Sequence, residues 1–344
     1  QNQLLRKHAV GDFREMLFAI IRDPAMIAYL DNNDSRKGRP NENFAREIME
    51  LFALGVGNYN EQDIKEGARS LTGYTFEDDE FVFQKNNHDG GRKSILGKSG
   101  MLDGDDFVKA ILEKRDCSRH IAAKLYRFFV GDYPTGRADR DNAAKAVIGE
   151  IASNLLASKY KIAPVLERLF LSEHFYDGAV MNEMIKSPAE LVVGAVRSLN
   201  TPVRDIGVLA AAMGAMGQSL FYPPSVKGWD GGRSWVNTST LFIRQNIMCF
   251  LLSGKLPVGY DPLKDIEKYD PSLLLSQLAK ADAAAATNVE SVVDYLLRFA
   301  TGAPAQHNRE TLTAFMKDNG NRISNDSITG LMLLITAMPE YQLC

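Results

Sequence analysis

Long apolar runs are missing from this chain of 344 residues. Nothing approaches the ~18 consecutive apolar residues of a membrane-spanning helix, so no transmembrane segment is expected within it. The opening residues, QNQLLRKHAVGDFREM, also lack the charged-then-apolar order of a secretory leader. Cysteine is scarce. Cys117, Cys249 and Cys344 are far apart, odd in number and without CxxC spacing, which excludes a disulfide framework or a redox pair and leaves structural thiols. Charge of one sign is not concentrated anywhere: 40 basic and 43 acidic residues are interspersed for a net −3, so no nucleic-acid partner is expected. The GxSxG elbow, the HExxH helix, the dinucleotide glycine fingerprint, the haem CxxCH and the GxxxxGK[ST] phosphate loop are all absent. An enzyme built on this sequence must therefore use an unfamiliar constellation.

What is present is an ordinary globular composition, 45% apolar and 24% charged, long enough for one large domain or two closely packed helical lobes. Helical signals dominate. Asp12 and Glu15 have capping-box spacing ahead of Phe13, Met16, Leu17, Ile20 and Ile21 at helical period, and Asp23-Pro24 starts a second helix. DNNDSRKGRPN, residues 31–41, reads as an exposed loop or a mobile lid. From Glu42 to Leu54 the apolar face is Phe44, Ile48, Leu51 and Phe52, with Gly55 as the stop. Asn60 caps the next helix, which ends at Thr72-Gly73.

Tyr74, Phe76, Phe81 and Phe83 then alternate around the acidic turn EDDE, the one convincing β signal. Helical patterns resume near Asp105, Ser118, Asp141 and, with a full capping box, at Ser187. They continue at 238–253, 271–283, 288–300, 308–317 and 326–337. The expected fold is mainly α, a multi-helix globular bundle with a small antiparallel β-hairpin insertion near 74–96. Residues 1–255 form the main domain and 256–344 a helical subdomain.

Three places carry residues capable of chemistry. At about 100° per residue, Arg46 and Glu50 fall on the far side of the 42–54 helix as an ordinary i,i+4 pair. Glu47 falls at the edge of the apolar stripe, where a partly buried carboxylate must find a donor, a cation or a proton. His88-Asp89-Gly90-Gly91-Arg92-Lys93 sets imidazole, carboxylate and cations in one turn. It suits an anion, a metal or acid–base work, or is simply a surface turn.

Lys227-Gly228-Trp229-Asp230-Gly231-Gly232-Arg233, followed by Asn237, reads as an anion-accepting turn. Its two tryptophans, Trp229 and Trp235, are either a sugar platform or pins for an irregular loop. Leu102-Asp103-Gly104-Asp105-Asp106 lacks the later ligands of a calcium loop and reads as a helix cap. No ligand spacing relates His8, His120, His174 and His307, and the sequence specifies no metal or cofactor.

PNENFAREIMELF at 40–52, LTGYTF at 71–76, HDGGRKSILG at 88–97 and FYPPSVKGWDGGRSWVNTSTL at 221–241 together resemble the bacterial family catalogued as domain of unknown function 1800. The resemblance runs over nearly the whole chain. It marks Glu42, Asn43, Arg46, Glu47, Glu50, His88, Asp89, Lys227, Trp229, Asp230 and Asn237 as candidates residue by residue, and Arg233 joins them as an anion holder. Members usually carry a longer amino-terminal region, so the resemblance implies a match that begins in mid-domain. It also implies a periplasmic or otherwise extracytoplasmic location and a secreted sulfatase- or phosphatase-like partner. The family itself implies no activity and no residue roles, and the residues leave two functions open. One is a binding or assembly factor; the other is an exported hydrolase of a saccharide or anionic ester, working by acid–base or metal-assisted chemistry, with Glu47, His88, Asp89 and Asp230 as catalytic or ligand groups and Arg46, Lys227, Trp229, Arg233 and Asn237 holding substrate.

Overall fold

A computed structural model describes residues 1–254, 269–302 and 306–344. As the periodicity predicts, the chain is mainly α-helical, with sixteen α-helices and two small antiparallel hairpins among the described residues. It divides into two compact units, Gln1–Asp177 and Gly178–Cys344. The subdomain boundary expected at 255–256 lies outside the described residues.

Caps decide where most helices begin. Asp12 accepts the Arg14 and Glu15 N–H groups, and Asp23 accepts that of Met26 ahead of Pro24–Tyr29. Asn60 and Asp63, Ser187 and Glu190, and Asn237 and Thr240 each close a reciprocal box. Each satisfies N–H groups that no helical carbonyl can reach. Asp103, with Asp106, caps Gly104–Leu112 in the same way, as the cap reading of that stretch requires. The helices Ala163–Phe170 and Ile206–Ala215 escape the sequence pattern. The second is IGVLAAAMGA, apolar or small on every face, so it has no stripe to recognise.

The β insertion is two hairpins rather than one. Tyr74–Glu77 pairs with Glu80–Phe83 in the register Tyr74 to Phe83, with Asp78 and Asp79 both at positive φ as a two-residue primed turn requires. Lys93–Ile95 pairs with Lys98–Gly100 through Leu96 and Gly97, also both at positive φ. Strands of three residues leave too little alternation to read.

In the first unit Phe44, Ile48, Ile64, Phe107 and Ile111 are fully buried. The second unit is built around Leu191, Val192, Met248, Leu251, Val292, Leu296 and Leu331. No helix among the described residues is long and apolar enough to cross a membrane.

Candidate functional site

The helix carrying Arg46 and Glu47 is not α-helical throughout. Glu42–Glu47 is α, and Ile48–Ala53 widens into a π-helix whose end is tied by the Leu54 and Gly55 N–H groups, both donating to the Met49 carbonyl at 2.8 and 3.0 Å. The extra residue per turn rotates the face. Met49, Ala53 and Leu54 enter the core beside Phe44 and Ile48, while Leu51 and Phe52, expected inside, are only half-buried. Gly55 ends the segment at φ +81, and a Cβ there would lie 2.7 Å from His120 Nδ1. His120 Nε2 in turn meets the Leu51 carbonyl at 3.0 Å.

The same rotation corrects the expected Arg46–Glu50 pair. Arg46 instead forks onto Glu61 at 3.0 and 3.1 Å and reaches Glu42 at 3.2 Å. Glu50 accepts the Tyr59 hydroxyl at 2.9 Å, and burial together with that carboxylate pushes Tyr59 up to about 12. Glu47 is half-buried, and its Oε2 is enclosed without a hydrogen-bond partner. Burial, then the charge of Glu50, raises its carboxyl above the ordinary glutamate value against the pull of Arg46.

His88 and Asp89 are held by the Glu61–Ser70 helix and the turn after it. The His88 Nδ1 lies 2.9 Å from the Thr72 carbonyl, the distance of a donated N–H. The Asp89 N–H donates to Thr72 Oγ1 at 2.8 Å. Both Asp89 oxygens take the fork of Arg69, Nε to Oδ2 at 2.7 Å and Nη2 to Oδ1 at 3.3 Å, and the Gly91 N–H adds a bond at 2.9 Å. The bidentate pair and that N–H hold the Asp89 carboxyl down at about 2. Arg69 also reaches Glu66 at 2.7 Å, and Glu66 accepts the Ser94 N–H. Asp63 accepts the Leu96 N–H at 2.7 Å, so the helix grips the second hairpin through two buried acids.

Arg69 and Thr72 are the partners that the linear sequence does not reveal, because they meet Asp89 across 20 and 17 residues. A pH dependence follows. The Asp89 carboxyl ionises well below the ordinary 3.8 of the unfolded chain, so its contribution of about 2 kcal/mol is complete above that value and fades as pH falls toward 2. Asp89→Asn should lose that stability at neutral pH and flatten the acid limb, which urea unfolding at a series of pH values will measure.

The other five candidates belong to the second unit. Lys227 and Asp230 face each other at 3.3 Å on the surface, and Arg233 is exposed in the 3₁₀ turn Gly232–Trp235. Asn237 caps Thr238–Ser253, its Oδ1 accepting the Thr240 N–H at 3.0 Å. Trp235 is buried and pins the loop, whereas Trp229 is half-buried. Gly228, Gly231 and Gly232 all have positive φ, so the glycines of KGWDGG serve the path of the main chain.

Within the first unit, Thr72 brings His88 and Asp89 together. No hydrogen bond or ion pair among the described residues joins either of them to Arg46 or Glu47. No group of three His, Cys, Asp or Glu side chains among the described residues is placed to hold a metal ion.

The protein-family comparison matches residues 1–343 to the model described as a protein of unknown function, DUF1800. The chain belongs to the DUF1800 family. No curated protein and no solved structure matches it.

Proposed function

We propose that the chain is a non-catalytic binding or assembly factor, acting outside the cytoplasm on a secreted sulfatase- or phosphatase-like partner. The observation that carries this reading is the exposure of Phe221 and Tyr222, 89% and 81%, at the head of the FYPPSVKGWDGG loop. Phe221 has φ +60, a conformation that costs a non-glycine residue about 1–2 kcal/mol. A strained aromatic displayed to water is a feature of binding surfaces, where aromatic anchors supply much of the affinity. The candidate polar groups point the same way, since Asp89 is saturated by Arg69 and Gly91, one ring nitrogen of His88 is held by the Thr72 carbonyl, and Asn237 caps a helix.

The test is co-purification and size-exclusion chromatography with the sulfatase-like protein. A complex lost on Phe221→Ser with Tyr222→Ser, both variants folded, supports the reading, and no complex with wild type sinks it. Cell fractionation should place the chain with periplasmic markers.

A hydrolase remains the second reading because Glu47 is enclosed, lacks a partner at Oε2 and holds its proton to higher pH than usual, as a general acid must. Glu47→Gln separates the two. A raised glutamate pKa contributes stability below the unfolded value and loses it as pH rises through the folded one. The glutamine variant should therefore be slightly more stable than wild type at neutral pH, with partner binding intact. Turnover of aryl sulfate, phosphate or glycoside by wild type, abolished in the folded variant, would establish the hydrolase instead.

A further inference from the structure

The second unit contains a cleft of about 260 Å³ lined by the helices Pro188–Ser198 and Val289–Thr301 and by Tyr341. Its walls include Leu191, Leu199 and Phe299, and its two charged lining residues are Lys186 and Glu190. These opposite charges do not form an ion pair. The Lys186 ammonium donates to the Tyr341 carbonyl at 2.7 Å and lies 4.2 Å from the centre of that ring, and beyond these two contacts it makes no hydrogen bond among the described residues. Glu190 Oε2 accepts the Ser187 N–H at 2.7 Å, and its other oxygen accepts nothing from the described residues.

Two further features bear on the cleft. Gly194 lies inside the Pro188–Ser198 helix, where glycine costs about 1 kcal/mol relative to alanine. A Cβ at that position would meet nothing within 4 Å, so no packing neighbour demands the glycine, and its missing side chain keeps the cleft open. Behind the Lys186 peptide is Arg244, 1% exposed. Its Nη2 donates to the Lys186 carbonyl at 2.7 Å and its Nη1 to Gln342 Oε1 at 3.2 Å, while its Nε has no partner. No carboxylate pairs with this buried cation among the described residues. Lys186 forms no ion pair among the described residues, although the charges of Cys344 and Glu190 act on it, and the Glu190 end has an oxygen to offer. Burial also holds the Lys186 ammonium below the ordinary lysine range, a direction that an arriving anion would reverse.

We propose that this cleft binds a small zwitterion with an apolar side chain, of the class of a free α-amino acid, with its carboxylate toward Lys186, its ammonium toward Glu190 and its side chain over Gly194. The volume lies just under the roughly 300–1,000 Å³ of ligand pockets in general, which suits a ligand of that size. The site is independent of the partner-binding reading and stands or falls without it.

Isothermal titration of the whole chain with L-leucine tests the assignment, using 4-methylpentanoate as the analogue without an ammonium and 3-methylbutylamine as the one without a carboxylate. Leucine should bind saturably at one site, and each analogue about tenfold or more weaker, since each tenfold step is about 1.4 kcal/mol. Gly194→Leu should fill the cleft and abolish binding while leaving the melting temperature equal or higher, because leucine is the better helix former. Lys186→Met should weaken leucine but not the amine. No heat with leucine, unchanged binding in folded Gly194→Leu, or 4-methylpentanoate binding as tightly as leucine would each overturn the proposal.

Discussion

Lys93→Met should lower the stability of the first unit by about 3 kcal/mol, the size of effect that follows removal of one member of a buried charged contact. Lys93 is 2% exposed, and its ammonium is surrounded by main-chain oxygens: Asp89, Gly91 at 3.3 Å and Leu102 at 2.8 Å. The arrangement resembles a cation held in a cage of carbonyls, with the lysine supplying the cation. It draws the HDGGRK loop and the chain before the Gly104–Leu112 helix onto one point. Methionine keeps the unbranched stem and removes the charge, leaving three carbonyls without their donor. Part of the loss is recovered because the ammonium no longer has to be desolvated, a cost visible in its depressed pKa. Lys93→Arg should not rescue, since a planar fork cannot point three ways at converging carbonyls. Urea unfolding decides it: a Met variant within about 0.5 kcal/mol of wild type, the range of ordinary surface substitutions, would mean that the cage adds nothing.

This cage also explains why the loop reads as chemistry in the sequence. Imidazole, carboxylate and two cations in six residues look like a site because catalytic and structural uses need the same groups. What distinguishes them is whether the groups are already satisfied. Asp89 is saturated by Arg69 and Gly91, and Lys93 by three carbonyls, while His88 retains one ring nitrogen beyond its bond to Thr72. Those partners lie up to 20 residues away in sequence, so spacing cannot distinguish a site from a clamp.

Features fixed by a few adjacent residues were legible. The caps at Asp12, Asp23, Asn60 and Ser187 and the hairpin turn at Asp78-Asp79 follow from local hydrogen bonding and local φ preferences. The π-helix at Ile48–Ala53 was not, because an α-period template assigns Leu51 and Phe52 to the stripe and has no means of inserting an extra residue. That single insertion changed the neighbours of Arg46 and Glu50. For the candidate site, sequence located the residues and long-range packing decided their partners.

Gly73→Ala should cost the first unit about 3 kcal/mol or more, because left-handed strain and a main-chain clash add. Gly73 has φ +79, and a Cβ there would sit 2.6 Å from the Gln84 carbonyl oxygen and 3.1 Å from the His88 nitrogen. Neither atom belongs to a side chain that can swing away. Gly73 also exchanges main-chain bonds with two segments, donating to the Ser35 carbonyl at 2.9 Å and accepting the Gln84 N–H at 2.8 Å. Any retreat from the clash therefore strains the start of the first hairpin and moves His88 away from Thr72. Gly57 is the control. Its φ of +87 carries the same backbone strain, but a Cβ there meets nothing within 4 Å. Gly57→Ala should consequently cost only the conformational part, about 1 kcal/mol. The difference between the two variants in urea unfolding isolates the clash, and equal losses would show that the close approach of the His88 segment to Gly73 is not maintained in solution.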